Sequence, residues 1–216
     1  MKHQEILKKL IPEFRADSTI TGVMLMGSVA SGSEYPTSDL DLFILGKKNK
    51  FESGIIDEIM VEYLYINHET AQSRLDKTGM EIYHYLGSKI IYDLDGRLIK
   101  LMRSAMNKLK NYKVNDRDKA EIRHSLYSTK VKIEAAVSCN TLLRADYITA
   151  TASWKAVEAI FAVNEIPLPP TYRVMQELPN ITLTPMEGWF EKLFGKDTDD
   201  RTKILLHIIN WILMYL

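Results

Sequence analysis

The chain has 216 residues, room for one large domain or two small ones, with 46% apolar and 26% charged residues, as in ordinary globular proteins. Its 28 basic residues balance 28 acidic ones, so it lacks the basic excess of a general nucleic-acid binder. The single cysteine, Cys139, cannot form an internal disulfide or a cysteine metal cluster and is expected as a small buried side chain in a helix.

Residues 1–5 lack the apolar stretch of a signal peptide. Residues 5–14 read as an amphipathic helix, with Ile6, Leu7, Leu10 and Phe14 near one face. A strand over 20–26 leads to a short helix over 28–31, and 34–38 form a loop with Pro36. A second strand over 40–45 is closed by Gly46 and the polar run Lys47-Lys48-Asn49-Lys50. Residues 57–66, rich in valine, isoleucine and tyrosine, read as a third strand, with Asp57 and Glu58 solvated at its start. Helices over 69–76 and 81–86, a fourth strand over 89–92, an Asp95-Gly96 turn and a helix over 98–109 follow. This order predicts a small mixed sheet flanked by helices.

The character changes after Asn111. Residues 116–140 hold no proline or glycine and follow a helical pattern, and 146–164 form a second helix of similar length. Pro167, Pro169 and Pro170 break the chain. Thr184-Pro185-Met186-Glu187 has the form of a helix start, with Thr184 as cap and Glu187 closing a capping box. A final helix is expected over 198–216; its apolar run from Ile204 is interrupted by His207 and Asn210 and falls short of the ~20 residues that span a bilayer. The expected fold is therefore α+β over residues 1–112, followed by an all-helical bundle over 113–216, in a soluble cytoplasmic protein that is a monomer or homodimer.

Chemistry concentrates between Met26 and Phe43. An apolar strand runs into Gly27-Ser28, and after a loop the second strand begins with Asp39-Leu40-Asp41. Strand side chains alternate, so Asp39 and Asp41 share a face. Two carboxylates on one face repel unless a cation separates them, and hard oxygen ligands suit magnesium together with substrate phosphate oxygens. The Gly-Ser turn supplies a close backbone, a hydroxyl and free N–H groups, which is what a phosphate needs.

These residues resemble the nucleotidyltransferase superfamily that includes DNA polymerase beta and the aminoglycoside and antitoxin-type nucleotidyltransferases. Gly27-Ser28 and Asp39-Leu40-Asp41-Leu42 carry the resemblance, with Ala30, Gly32 and Ser38 at positions such sequences often fill alike. It runs from about Thr19 to Ile66. It implies a third carboxylate from a neighbouring strand, for which Glu62, between Val61 and Tyr63, fits best. It further implies two magnesium ions held by Asp39, Asp41 and Glu62. Glu62 either completes the ion that activates the incoming hydroxyl or acts as its base. Gly27 and Ser28 would hold the triphosphate, and Arg74 is a further phosphate candidate. Ser31 and Ser33 read as turn residues.

In the aminoglycoside-modifying relatives a helical domain lines the acceptor pocket. Tyr127, Lys130 and Glu134 share one helix face by spacing, with Lys130 suited to phosphate and Tyr127 and Glu134 to the acceptor. The alternative is a solvated face with a Lys130–Glu134 pair. The implied activity is transfer of a nucleoside monophosphate, AMP from ATP, to a hydroxyl of a small-molecule acceptor such as an antibiotic. Two rivals stand beside it. One is an antitoxin-type enzyme adenylylating a protein partner, for which Arg201 and His207 would mark a fused helical RNase. The other is a non-catalytic nucleotide-binding module.

Overall fold

The computed structural model describes residues 2–77, 79–195 and 200–216. The chain divides into two compact units, Met1–Asn111 with Pro169–Arg173, and Tyr112–Leu168 with Val174–Leu216. The division is not a single cut, because residues 169–173 return to the first unit.

The first unit holds α1 (Lys2–Ala16), β1 (Ile20–Leu25), α2 (Gly27–Ser31), β2 (Leu40–Gly46), β3 (Lys50–Ile56), β4 (Ile59–Ile66), α3 (His68–Lys77), α4 (Gly79–Leu86), β5 (Lys89–Asp93) and α5 (Arg97–Lys110). Five strands form one sheet in the order β3-β4-β2-β1-β5. Only β2 and β4 pair in parallel; the other pairs are antiparallel, so the sheet is mixed. One face buries Leu40, Leu42 and Ile44 of β2 and Val61 of β4 in a cluster with Ile6, Leu7, Leu10 and Phe14 of α1. The α1 positions recur at the helical period, which is why this helix buries one stripe. On the other face Phe43 of β2 meets Tyr85 of α4 edge-on, with ring centroids 5.6 Å apart. Strand β2 is thus covered on both sides, as its unbroken apolar run requires.

One strand escapes the sequence pattern. β3 is an edge strand, exposed along nearly all its length, and its Lys-Phe-Glu-Ser-Gly start has no apolar alternation to betray it. It forms a hairpin with β4, and Asp57 and Glu58 are its two-residue turn rather than the start of the third strand. Both have left-handed φ, 49° and 68°, as a type I′ turn demands. Lys9 and Lys2 of α1 reach these acids at 2.7 and 2.6 Å on the surface.

The second unit is helical: α6 (Asp116–Ser138), α7 (Leu142–Val163), most of α8 (Thr171–Glu177), α9 (Trp189–Phe194) and α10 (Arg201–Tyr215). The Asn115 side chain caps α6 by accepting from the Asp118 N–H at 2.8 Å. Leu126 and Ile133 of α6, Ala156 and Ile160 of α7, and Leu205, Ile208 and Ile212 of α10 form its buried core. Among the described residues no helix is long and apolar enough to cross a membrane.

Three sequence expectations need correction here. Thr184 to Glu187 start no helix; α9 begins at Trp189, after Gly188 with φ 61°, where burial of Trp189 and Leu193 fixes the helix. Cys139 is exposed at the C-terminal cap of α6, not buried within it. Thr198, the expected start of the last helix, lies outside the described residues; α10 runs from Arg201, and Asp200 accepts from the Lys203 N–H at 3.0 Å.

Candidate active site

The end of β1 places the first element. Met26 N–H donates to the Asp41 carbonyl at 2.9 Å, and the chain then turns through Gly27 with φ 68°. A Cβ on Gly27 would lie 2.0 Å from Asp41 Oδ2, so only glycine lets this turn pass the carboxylate. α2 follows directly.

Asp41 and Glu62 face each other across the parallel β2–β4 pair, and Asp39 stands just before β2. Asp39, Asp41 and Glu62 each bring one carboxylate oxygen within 4.8 Å of the others. Burial, then the charges of Asp39 and Glu62, push the Asp41 carboxyl up to about 6, with His84 opposing. Unit charges at 4.8 Å repel by about 3–4 kcal/mol at an effective dielectric near 20. An all-oxygen donor set with a disfavoured anion at its centre fits a hard divalent cation, which removes the repulsion and keeps positions for phosphate oxygens.

The carboxylates line a cavity of about 570 Å³, within the range of small-molecule sites. Gly27, Ser28 and Arg74 line it too. So do four residues that the sequence reading did not single out: Phe51, Leu64, His84 and Tyr172. Arg74, on α3, donates from Nε to Glu81 Oε1 of α4 at 2.8 Å. His84 Nδ1 stands 3.4 Å from the other Glu81 oxygen. Glu81 is only 8% exposed. Burial pushes its carboxyl up, but the hydrogen bond and charge of His84 and the Arg74 guanidinium outweigh burial and hold it below the usual range. The spacing of Glu81 and His84 on one helix face was readable; their meeting with Arg74 depends on how the chain turns between α3 and α4. Tyr172 arrives with residues 169–173, and beside it Arg173 lies 5.1 Å from the centre of the Tyr83 ring.

The structure therefore brings together Gly27, Ser28, Asp39, Asp41, Glu62 and Arg74. Tyr127, Lys130 and Glu134 belong to the second unit, on α6, where Lys130 and Glu134 pair at 3.5 Å and Tyr127 is exposed. That unit has a cavity of its own, about 420 Å³, between α6 and α7.

Residues 8–95 match the family described as polymerase beta, nucleotidyltransferase. The matched segment contains the three carboxylates, the Gly27-Ser28 turn, Phe51, Arg74, Glu81 and His84. No curated protein matches the chain in sequence. In fold the chain is similar to a nucleotidyltransferase-like protein from Exiguobacterium sibiricum 255-15, with a TM-score of 0.51 and 10% identity over 99% of this chain and 75% of that one.

Proposed function

We propose that this chain, which carries a nucleotidyltransferase domain of the polymerase beta superfamily over residues 8–95, transfers AMP from ATP to the hydroxyl of a small-molecule acceptor, using magnesium, in the cytoplasm. The observation that carries this reading is the trio Asp39, Asp41 and Glu62 beside a glycine turn that a Cβ would close.

Asp39, Asp41 and Glu62 are assigned as the ligands of two magnesium ions. When bound, these ions would offset the charge of the triphosphate and stabilise the entering and leaving oxygens of an in-line displacement at the α-phosphorus. The turn at Gly27 lets backbone N–H groups and the Ser28 hydroxyl approach the β and γ phosphates. Arg74 supplies positive charge to the same phosphates, and Glu81 holds its guanidinium in place. Glu62, beside Asp41, either completes the site of the ion that would activate the acceptor's hydroxyl or receives its proton. The family likeness alone supports Lys130 as a phosphate contact and Tyr127 and Glu134 as acceptor contacts; the Lys130–Glu134 pair fits a solvated helix face equally well.

The test is release of pyrophosphate from each labelled nucleoside triphosphate, with and without magnesium. ATP should be the preferred donor, and Asp39→Asn and Asp41→Asn should each abolish release while the circular dichroism spectrum stays unchanged. Near wild-type turnover in either variant would overturn the assignment.

A further inference from the structure

The three carboxylates are not held alike. Asp41 and Glu62 lie in register across the β2–β4 pair, and Glu62 is paired with Ser53 of β3 as well. The Asp41 carbonyl also accepts from the Met26 N–H at 2.9 Å. Asp39 stands one residue before β2, where the ladder has not begun. Its place depends on how Ser38, the residue before it, is fixed. The turn that carries Ser38 lies at the surface, with Tyr35 75% exposed, so packing does little to hold it. The Ser38 N–H donates to the Tyr35 carbonyl at 3.0 Å, and Ser38 Oγ accepts from the Tyr35 N–H at 2.9 Å. Both bonds stay within residues 35–38, so they shape the turn without fastening it to the rest of the unit.

The fastening comes from α1. His3 Nε2 lies 2.8 Å from the Ser38 carbonyl oxygen. A carbonyl only accepts, so Nε2 carries the proton and donates. His3 is 3% exposed. It opens the buried stripe that Ile6, Leu7, Leu10 and Phe14 continue at helical spacing. That stripe packs with Leu40, Leu42 and Ile44, so α1 is seated on the strand that carries Asp41. An apolar side chain would serve packing at this position, whereas a buried imidazole is costly unless its N–H finds an acceptor. The Ser38 carbonyl is that acceptor, and the bond ties the approach to Asp39 to the helix beneath Asp41. His3 also lies before residues 8–95, outside the segment that the family match covers.

We infer that His3 is a positioning residue for Asp39: by holding the Ser38 carbonyl it keeps the carboxylate that stands outside the ladder facing Asp41 and Glu62; this rests on the metal-site reading above. His3 itself touches neither the cation nor the nucleotide. Without its hydrogen bond the turn over 35–38 keeps its shape but loses its tie to α1. Asp39 then spends less time beside the other two acids, and a cation meets two ligands more often than three. The loss falls on cation affinity.

The experiment uses the full chain, with manganese as a paramagnetic probe of the carboxylates and free manganese followed by electron paramagnetic resonance. His3→Leu removes the donor and keeps an apolar side chain that favours a helix. His3→Gln returns an amide N–H with about the reach of Nε2. Loss of one hydrogen bond predicts about three- to tenfold weaker manganese binding in His3→Leu, and His3→Gln should return to within about twofold of wild type. The rise in melting temperature on adding magnesium should shrink in His3→Leu and recover in His3→Gln. A purely structural role would instead lower the melting temperature in EDTA and leave the manganese affinity of the folded protein unchanged. Unchanged manganese binding in His3→Leu, or equally weak binding in both variants, would overturn the inference. Failure of the wild-type chain to bind manganese, alone or with α,β-methylene ATP, would sink the metal-site reading itself, and the inference with it.

Discussion

Arg74, on the wall of the cavity that holds the three carboxylates, meets Glu81 of the next helix at 2.8 Å. The acid is nearly buried and the guanidinium side chain is 39% exposed, so the pair presents a cation to the cavity from a fixed acidic base. Its worth lies in position more than in stability, because solvent screens the exposed partner.

Glu81→Gln should therefore leave the fold intact and loosen Arg74. A charge-assisted hydrogen bond lost from that guanidinium predicts about tenfold weaker binding of magnesium with a non-hydrolysable ATP analogue. Arg74→Ala should weaken binding by at least as much. Calorimetry on both variants checks the order; unchanged binding in both would remove Arg74 from the phosphate site.

Asp41 makes stability depend on pH in a definite direction. Its folded-state carboxyl sits at about 6, above its ordinary 3.8. The proton is held more tightly in the folded state, so this group's contribution is fully present below about pH 3.8 and is lost as pH rises through about 6. The corresponding loss is of order 3 kcal/mol, at about 1.4 kcal/mol per unit. With EDTA present, Asp41→Asn should melt higher than wild type at pH 7.5, though inactive. Magnesium should raise the wild-type melting temperature more at pH 7.5 than at pH 5. Thermal melts at both pH values, with magnesium or EDTA, decide it; equal shifts at the two pH values would count against cation binding at Asp41.

Gly27→Ala tests the turn. The substitution forces a left-handed φ on alanine and drives a Cβ to 2.0 Å from Asp41 Oδ2. The strain alone costs about 1–2 kcal/mol. Displacement of Asp41 should reduce pyrophosphate release by more than about a hundredfold, since misplacing a catalytic group by even ~1 Å costs that much. A variant with normal turnover would show that the turn tolerates a side chain and that Asp41 can move.

The β3–β4 hairpin offers a stabilising change. Glu58 has φ 68° in a turn whose second position favours glycine. Glu58→Gly removes that strain at the loss of the Lys2 ion pair, whose acid side chain is 86% exposed. Surface pairs of this kind contribute little, so relief of the backbone strain should dominate and the variant should unfold at a higher denaturant concentration than wild type.

Most of the fold was legible where side chains repeat with the period of their element. β1, β2, α1 and α6 announce themselves through apolar spacing, and Gly27, Ser28, Asp39 and Asp41 through chemistry confined to sixteen residues of sequence, 26–41. Glu62 was reachable because Val61 and Tyr63 give its strand an apolar frame. Phe51 was hidden because an edge strand need not alternate, and the polar residues around it look like a loop. Glu81 and His84 were hidden for another reason. Their importance comes from the meeting of two helices with the carboxylate face, and no local pattern encodes that meeting. Tyr172 is further still, behind three prolines, in a stretch where no periodicity operates.

The return of residues 169–173 to the first unit has a practical consequence for anyone who would exchange parts between such proteins. The fragment ending at Asn111 leaves the Tyr83 ring without its Arg173 guanidinium and the cavity without Tyr172. The helical half cannot be transplanted at one junction. A graft needs three seams, one after Asn111 and one on either side of the returning pentapeptide, and that short stretch must stay with its recipient's sheet rather than travel with the donor's helices.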